Sequence, residues 1–466
     1  MSKPVKFVPE APHVESPYHG KKIGHGLHIA ISAYWFATNF LWGALLVLML
    51  PNEIKTLAPG YRVTALGLLT GIAAFVALVV PLVVGAMSDR CRSPLGRRRP
   101  YMLVGVLINL VGLALMAAVY HTATPIPAPA TGQEPGTGAV LGILLSSPAF
   151  LGFLFAYIVV QLGNNISSAA YMGVIPDLVP EDQRGAASGY MALMSQAGTL
   201  FGAVVVGMVL GKQPEGVKYA VLGLVLAGIA AITIVGIKET PLKIDKMNMD
   251  WGAYARSLWI DPKTYPDFAW VWITRALVML GFYSVLPFIN YYLFDVIGIQ
   301  NPDDEAPKLM GVILIASSIS GVYGGYISDR IGRKRVVYVA NGMIAVMVLA
   351  FIFCRQFNEV LLAGTLFGIG FGAYTSVDWA LGTDVLPSKT NAGKEMAIWH
   401  VAMTLPQSIA APVAGLLIES FGTETIMREG EKWTRYSSNG YAAVFLLTAV
   451  CFALGAFLLK NVRGVR

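Results

Sequence analysis

Three ionisable side chains interrupt long apolar runs in the second part of the sequence: Arg275, Asp378 and His400. A charge inside a hydrocarbon layer is costly, so such residues usually face the protein interior, where they pair or carry protons. The charge of a buried carboxyl depends on its burial and on nearby cations, which an arginine or a histidine can supply. We therefore predict that Asp378 couples ion binding to another event, with Arg275 and His400 as partners. Purely structural pairing is the alternative.

Amide and aromatic side chains recur at helical spacing in several of the apolar runs. Residues three, four or seven positions apart share one face of a helix. Amides bind hydroxyl groups and rings pack on C–H faces, so this mixture suits a sugar; polar packing between helices is the alternative. The candidate substrate-binding residues are Trp35, Asn39, Trp42, Gln161, Asn164, Asn165, Tyr283, Asn290, Tyr291 and Trp379.

Three short motifs occur twice, in the same order and after corresponding apolar runs. Each contains an aspartate or a cluster of basic residues. The pairs are Gly85-Ala-Met-Ser-Asp89-Arg90 with Gly325-Tyr-Ile-Ser-Asp329-Arg330, Gly96-Arg97-Arg98-Arg99 with Gly332-Arg333-Lys334-Arg335, and Pro176-Asp177-Leu-Val-Pro180 with Thr383-Asp384-Val-Leu-Pro387. Such ordered repetition indicates an internal duplication, so we predict two similar halves.

The elements that position these residues are predicted from hydropathy. The chain has 466 residues, of which 55% are apolar and only 13% charged, whereas soluble domains carry about 25% charged residues. A spanning helix needs about 20 apolar residues. We predict an all-α membrane protein with twelve transmembrane helices in two pseudo-symmetric six-helix bundles. The predicted spans are 27–50, 63–87, 101–120, 148–172, 185–210, 218–237, 269–297, 309–327, 336–354, 358–383, 395–418 and 440–460.

The distribution of charge predicts the orientation of these helices. Loops 88–100 and 328–335 are rich in arginine, whereas loop 121–147 contains no Lys or Arg. Positive charges favour the cytoplasmic side, so we place both termini in the cytoplasm of a plasma (cell inner) membrane protein. Four carboxyl side chains fall at span ends, where we expect them to be solvated: Glu53, Asp295, Glu359 and Glu419. The predicted divisions are a tail 1–26, a bundle 27–237, a cytoplasmic linker 238–268, a bundle 269–460 and a tail 461–466.

Other classes of function lack support in the sequence. The net charge of +7 lies in short loops, which argues against nucleic-acid binding. Cys91, Cys354 and Cys451 form no close pair, so we expect neither a disulfide framework nor a metal site. No phosphate-binding loop is present, so we expect no direct use of ATP. We expect no enzymatic activity and no cofactor.

The first copy of the repeated motif resembles the signature Gly-x-x-x-Asp-Arg-x-Gly-Arg-Arg of the major facilitator superfamily. Here Cys-Arg-Ser-Pro-Leu separates Asp89-Arg90 from Gly96. That longer form resembles the glycoside–pentoside–hexuronide:cation symporters, and most closely the sucrose-transporter-like branch (solute carrier family 45). Asn164-Asn165 and Leu405-Pro406-Gln407 also resemble this branch, which adds Gln407 to the candidate substrate-binding residues. The resemblance to the superfamily covers about residues 27–460.

The resemblance implies alternating access, with the repeated motifs forming ion pairs that close a cytoplasmic gate. Partly buried pairs suit a gate because their Coulomb and desolvation terms offset each other. A role in topology alone is the alternative. The candidate gating residues are Asp89, Arg90, Arg97, Arg98, Asp177, Asp329, Arg330, Arg333 and Asp384.

The sequence departs from plant sucrose carriers at their coupling pair. Those carriers have an acidic residue three positions before the Asn-Asn pair and an arginine later in the span, where this chain has Gln161 and Met172. We predict a secondary active transporter, a proton- or other cation-coupled symporter of a sugar or glycoside, working as a monomer. Its expected partners are that small-molecule substrate, a proton or sodium ion, and the lipid bilayer. An exporter of amphipathic compounds is the main alternative; a receptor or lipid scramblase that reuses the fold is another.

Overall fold

The computed structural model describes residues 17–18, 21–127, 137–180, 183–241, 251–385, 392–428 and 431–463. Within these residues twelve long helices follow one another, named α1 to α12 here. They are α1 His25–Leu57, α2 Arg62–Asp89, α3 Arg99–Thr122, α4 Pro148–Met172, α5 Arg184–Val204, α6 Glu215–Gly236, α7 Pro266–Ile297, α8 Pro302–Ile331, α9 Arg333–Phe351, α10 Phe357–Asp384, α11 Ala392–Ser420 and α12 Ser438–Leu458. Shorter helices keep their bounds as names: Thr137–Ser146, Val174–Leu178 and Trp251–Ser257.

Ten of the twelve helices are long and apolar enough to cross a membrane. The fifth contains a shorter apolar stretch, Leu193–Val209, that continues through a π turn beyond α5. The eighth has 30 residues and starts with the acidic segment 303–305. The prediction of an all-α membrane protein built from twelve long helices is confirmed within the described part of the chain.

Prolines and glycines determine where the helices are interrupted or end. In α1, Pro51 follows a π turn at Leu45–Met49, and in α7, Pro287 lies in the 3-10 turn Leu286–Phe288. Proline lacks an N–H and crowds the preceding turn, so regular α-helical bonding is interrupted there. Gly96 and Gly332 have φ angles of +105° and +99°, which glycine adopts without strain. They occupy the same place in the two copies of the motif.

The helices form two bundles that contact each other along two helix pairs. In the first bundle, α1 packs on α5 and α6, and α4 packs on α2 and α3; in the second, α7 packs on α11 and α12, and α10 packs on α8 and α9. The pairs α2–α11 and α5–α8 join the bundles. Small residues allow the close approach: a Cβ at Gly67 would lie 2.8 Å from the Ala411 carbonyl oxygen, and one at Gly71 would overlap the Pro412 ring.

The bundles meet at one end of the molecule and diverge toward the other. We call the end where α1 begins and α12 ends the terminal end, and the end where α1 and α7 finish the distal end. Residues four apart lie on neighbouring parts of one helix face, yet Phe75, four residues after Gly71, is 61% exposed. On α8, Gly311 faces α5 while Ile315 is 55% exposed. The surface of α2 that packs in the distal half is therefore uncovered toward the terminal end, whereas α5 and α8 still contact each other there, since Gln196 donates to Ser318 Oγ at 3.4 Å.

Two elements differ from what the pattern of apolar runs predicted. The segment 121–147, expected to be a loop, contains the apolar helix Thr137–Ser146, which packs against α4. Between α11 and α12 lies an antiparallel hairpin of β1 Thr423–Arg428 and β2 Glu431–Tyr436. Its strands have six residues each, far fewer than the about 20 apolar residues of a spanning helix, so the pattern of apolar runs did not reveal them. The boundaries of the tails and the linker stay predictions; residues 1–16 and 464–466 lie outside the described residues.

Candidate functional site

A buried ion pair connects α7 and α10 inside the second bundle. The Arg275 guanidinium donates through Nη1 to Asp378 Oδ2, and the two side chains are only 3% and 4% exposed. Tyr374, one turn before Asp378 on α10, donates its hydroxyl to the other carboxylate oxygen at 3.1 Å. Both oxygens of Asp378 are therefore hydrogen-bonded. This arrangement brings together two of the three ionisable residues predicted from the sequence.

Arg275 keeps unused donor capacity although it is buried. Its Cζ lies 3.4 Å from the centroid of the Trp399 ring, and Nη2 lies 3.9 Å from Met403 Sδ on the same helix, α11. Among the described atoms, Arg275 Nε has no hydrogen-bond partner, and neither has His400 Nδ1. A guanidinium has five N–H donors, so Arg275 can accept a further polar partner without leaving Asp378.

The amides of α4 form a ladder that ends on an aromatic ring. Asn165 Nδ2 donates to Gln161 Oε1 at 3.1 Å and to the Gln161 carbonyl oxygen at 2.8 Å. Gln161 Nε2 donates to the Tyr157 hydroxyl at 3.2 Å, and the Tyr157 ring meets the edge of Trp42 with centroids 6.3 Å apart. Asn164 is buried, and its Oδ1 has no partner among the described atoms.

Two other residues of α1 that were predicted to bind substrate make contacts within α1 or with α4 in this structure. Asn39 Nδ2 donates to the Trp35 carbonyl oxygen at 2.7 Å, and the Trp35 ring stacks on Tyr171 of α4. The sequence analysis missed Tyr34, which is fully buried. Its hydroxyl lies 2.5 Å from Ser167 Oγ and ties α1 to α4. A tyrosine next to Trp35, at helical spacing from Thr38, was the available signal.

The remaining predicted substrate residues lie in different surroundings. Tyr283 is half-buried and within the electrostatic reach of Arg275, and Gln407 is half-buried on α11. Asn290 is buried, and Tyr291 donates its hydroxyl to the Pro51 carbonyl oxygen of α1 at 2.8 Å. The 3-10 turn before these two residues changes the helical phase, so they do not continue the face of Tyr283. The side chain of Trp379 is not among those described.

A second buried ion pair joins the two bundles at the distal end, and we call it the distal latch. Arg62 at the start of α2 donates to Asp295 at the end of α7, with side chains 7% and 0% exposed. The Tyr441 hydroxyl of α12 donates to Asp295 Oδ2 at 2.6 Å. The Arg62 guanidinium also lies about 5 Å from three rings, with centroids of Tyr291 and Phe294 at 5.2 Å and of Tyr436 at 5.3 Å.

The expectation that Glu53 and Asp295 are solvated is wrong. Both residues are 1% exposed. Their positions at span ends suggested contact with water, but packing between helices and the hairpin covers them. Arg435 of β2 donates to the Asp295 carbonyl oxygen at 3.0 Å, so the hairpin that the sequence did not reveal helps to close this end. Glu53 bonds to α6 through Tyr219, which donates at 2.6 Å.

The repeated motif forms an ion-pair cluster at the terminal end. Arg98 Nη2 lies 2.5 Å from Asp89 Oδ1, and Asp177 Oδ2 lies 2.8 Å from Arg98 Nε and 3.0 Å from Arg97 Nη2. Glu239 accepts from the backbone N–H of Arg98 at 2.8 Å. Burial alone would lower the pKa of Arg98, but the carboxylates of Asp177 and Asp89 raise it above its usual value. These pairs all join parts of the first bundle and the residues that follow it.

For the other candidate gating residues, the structure describes fewer contacts. Arg90 donates to the Ala86 carbonyl oxygen of its own helix at 3.1 Å. Arg330 is exposed and Arg333 half-buried. The side chains of Asp329 and Asp384 lie outside the described part of the chain. A gating role for this group stays a prediction.

Comparison with known proteins identifies the family. The family model for the Major Facilitator Superfamily matches residues 27–390 and 309–464, which together cover nearly the whole chain. The multi-drug resistance efflux pump PmrA of Streptococcus pneumoniae is 23% identical over 431 residues, covering 90% of this chain and 92% of the pump. Two partial matches are a probable 4-methylmuconolactone transporter of Cupriavidus pinatubonensis, 32% identical over 24% of this chain and 26% of that protein, and the sucrose transport protein SUC4 of Arabidopsis thaliana, 28% identical over 27% of this chain and 22% of that protein.

Solved structures show the same fold at low sequence identity. A bacterial homolog of the human lysosomal transporter Spinster, in an inward-facing, unoccupied conformation, superimposes with a TM-score of 0.68. The match covers 95% of this chain and 98% of the other, at 13% identity. The family match, the twelve helices and the two motif copies agree with one another. This chain belongs to the Major Facilitator Superfamily, whose transporters move small molecules across membranes.

Proposed function

We propose that the protein is a secondary active symporter that takes up a sugar or glycoside together with a proton. The observation that carries this proposal is the Arg275–Asp378 pair, because it is buried between helices α7 and α10 and one member can titrate. In this superfamily, substrate sites lie near the midplane between the repeated bundles. The alternating-access cycle then exposes this site first to one side of the membrane and then to the other.

Protonation of Asp378 is the coupling step in this proposal. A proton on the carboxyl removes the negative charge that holds Arg275, while Tyr374 keeps a hydrogen bond to the acid. When one member of a buried ion pair loses its charge, the other member remains charged and needs a new hydrogen-bond acceptor. Arg275 then offers Nη1 as well as the unpartnered Nε to hydroxyl oxygens of the substrate. Proton and substrate binding therefore favour each other.

The first bundle supplies the remaining recognition groups. The carbonyl oxygen of Asn164 has no partner among the described atoms, and the Gln161–Asn165 ladder can exchange its internal bonds for substrate hydroxyls. Trp42 and Tyr157 provide rings beside these amides. The partial match to a sucrose transport protein and the likeness to the sucrose-transporter-like branch support the sugar assignment.

The experiment compares net accumulation with exchange in proteoliposomes, using labelled sucrose and a panel of labelled glycosides. Asp378→Asn should abolish accumulation driven by an imposed pH gradient and retain counterflow, because exchange needs no net proton movement. Asp304→Asn, an exposed carboxyl on α8, is the matched control and should retain both. Accumulation by Asp378→Asn at the wild-type level would refute the coupling role. Wild-type transport that follows a sodium gradient instead would change the coupling ion, and indifference to both gradients would indicate facilitated diffusion.

Export of amphipathic compounds is a second candidate, and two observations favour it. Exposed apolar side chains, including Phe75 and Ile315, lie on α2 and α8, and a relative that matches over 90% of this chain is an efflux pump. A ligand that binds only the native state raises its stability. A thermal-shift screen of the purified protein against sugars and lipophilic cations separates the two candidates, since stabilisation by the cations alone would favour export.

We propose that the terminal end faces the cytoplasm of the plasma (cell inner) membrane and that the transporter works as a monomer. The arginine-rich loops at this end support the orientation. Single cysteines at positions 130 and 245, in a chain without its three native cysteines, test it on intact cells. An impermeant thiol reagent should label position 130 and spare position 245, and the reverse result would invert the orientation.

A further inference from the structure

Glu53 is a buried carboxyl that neither the substrate site nor the terminal cluster uses. It lies on α1 two residues after Pro51 and is 1% exposed. Tyr219 of α6 donates to Oε2 at 2.6 Å, whereas Oε1 is buried and has no hydrogen-bond partner among the described atoms. Within the described chain, no side-chain nitrogen of a lysine, arginine or histidine forms an ion pair with the Glu53 carboxylate within 4 Å. The nearby Lys218 pairs with Glu215 at 2.6 Å.

The charges around Glu53 decide which form it takes here. Helix α6 contributes Tyr219, Glu215 and Lys218, and α3 contributes Tyr120 and the exposed His121, which lies beside Gly216 of α6. The opposite charges of Glu215 and Lys218 cancel, so with a neutral His121 the cluster is neutral when Glu53 carries a proton and has a charge of −1 when Glu53 is ionised. An uncompensated buried charge is strongly destabilising. The geometry of the closed distal end therefore favours the neutral acid form of Glu53.

The segment that bears Glu53 also contacts the distal latch. The Pro51 carbonyl oxygen accepts from Tyr291 of α7 at 2.8 Å, and the Lys55 ammonium lies 3.8 Å from the centroid of the Phe294 ring. The rings of Tyr291 and Phe294 in turn flank Arg62. The last two turns of α1 thus join α6 through Glu53 to the contact between the two bundles.

We propose that Glu53 is a proton-binding site that controls the opening of the distal latch. The protonated acid fits the closed form; the ionised form needs water at Oε1 and so favours a form in which the end of α1 moves and the bundles part. Because the closed form holds the proton more tightly than the open form, a rise in pH at the distal end favours opening. One proton changes this equilibrium by at most about tenfold per pH unit. This proposal depends on alternating access. It does not depend on a sugar substrate or on the coupling role proposed for Asp378.

The test measures the distal opening directly, without substrate. Spin labels on Thr122→Cys of α3 and Gln300→Cys after α7, both exposed at the distal end, report the separation of the bundles; the three native cysteines are replaced by alanine. We call these two sites the distal label pair. In lipid nanodiscs, the long-distance population of the wild type should grow between pH 5 and 9. Glu53→Gln, which keeps an acceptor for Tyr219 and cannot ionise, should stay closed throughout.

Two further variants make the outcome decisive. Asp304→Asn, at an exposed carboxyl, should keep the wild-type response. Because the measurement uses neither substrate nor a pH gradient across the membrane, failure of the proposed coupling at Asp378 leaves this result readable. Tyr219→Phe removes the donor to Oε2, destabilises the ionised form and should move the midpoint of opening to higher pH, which covers the case in which Glu53→Gln does not fold. A wild type without a pH response, a Glu53→Gln variant that responds like the wild type, or a Tyr219→Phe variant with an unchanged midpoint would each overturn the proposal.

Discussion

The terminal and distal ends of the molecule both carry buried or partly buried ion pairs, but the pairs connect different parts. At the terminal end, Asp89, Arg98 and Asp177 join helices of one bundle, and Asp89 remains 34% exposed in its side chain. At the distal end, Arg62 and Asp295 cross between the bundles and are almost completely buried. The first cluster can persist when the bundles part, whereas the second must break. We therefore expect the distal latch, more than the terminal cluster, to control the separation of the bundles.

The two ends also differ in whether their ion-pair residues belong to the sequence motifs that occur in both halves of the chain. The terminal cluster belongs to a motif present in both halves of the chain, and each copy contains a glycine with a positive φ. The distal latch uses residues from α2, α7, α12 and β2 that have no counterpart in the motif copies. The first motif copy thus forms ion pairs within its own bundle, and other side chains supply the ion pair between the bundles.

The largest effect is expected from removal of one partner of the distal latch. Arg62→Ala leaves the Asp295 carboxylate buried without its cation, which costs roughly 3–5 kcal/mol. The distal label pair should then shift to the long-distance population by a factor of more than about 100. The double variant Arg62→Met with Asp295→Leu replaces the pair by apolar side chains and should recover much of the closed form. A closed distribution in Arg62→Ala would show that the latch does not hold the bundles together.

A smaller effect is expected from crowding the contact of α2 with α11. In Gly71→Ala the new methyl group overlaps the Pro412 ring, and overpacking of this kind costs roughly 1–3 kcal/mol. The same substitution at Gly85, where a Cβ has nothing within 4 Å, is the matched control toward the terminal end. Gly71→Ala should open the distal label pair and Gly85→Ala should not. Equal behaviour of the two variants would contradict the divergence of the bundles along α2.

The smallest effect is expected at the terminal cluster. Asp89→Asn removes a half-exposed carboxylate from Arg98, which retains Asp177, so the loss should be roughly 1 kcal/mol or less. We expect uptake to slow by up to about fivefold, with an unchanged distribution of the distal label pair and unchanged apparent affinity in counterflow. If neither Asp89→Asn nor Asp329→Asn slows uptake, the motif acts in topology alone.

Local properties of the chain were enough to predict the architecture. Apolar length identifies a membrane helix because the bilayer demands about 20 apolar residues wherever the helix lies, and the motif pairs disclosed the duplication without reference to packing. The chemical character of Arg275, Asp378 and His400 followed equally from their apolar surroundings in the sequence. These features depend on neighbours along the chain, so one sequence suffices to recognise them.

Contacts between distant segments could not be predicted in this way. Arg62 and Asp295 are 233 residues apart, Glu53 and Tyr219 are 166 apart, and nothing in the local sequence distinguishes them from solvated residues at span ends. Two further features could not be predicted for the same reason. They are the hairpin that covers Asp295 and the 3-10 turn that redirects Tyr291 toward Pro51. Whether a charge at the end of a helix meets water or a partner depends on how the bundles pack, because burial is a property of the assembled helices.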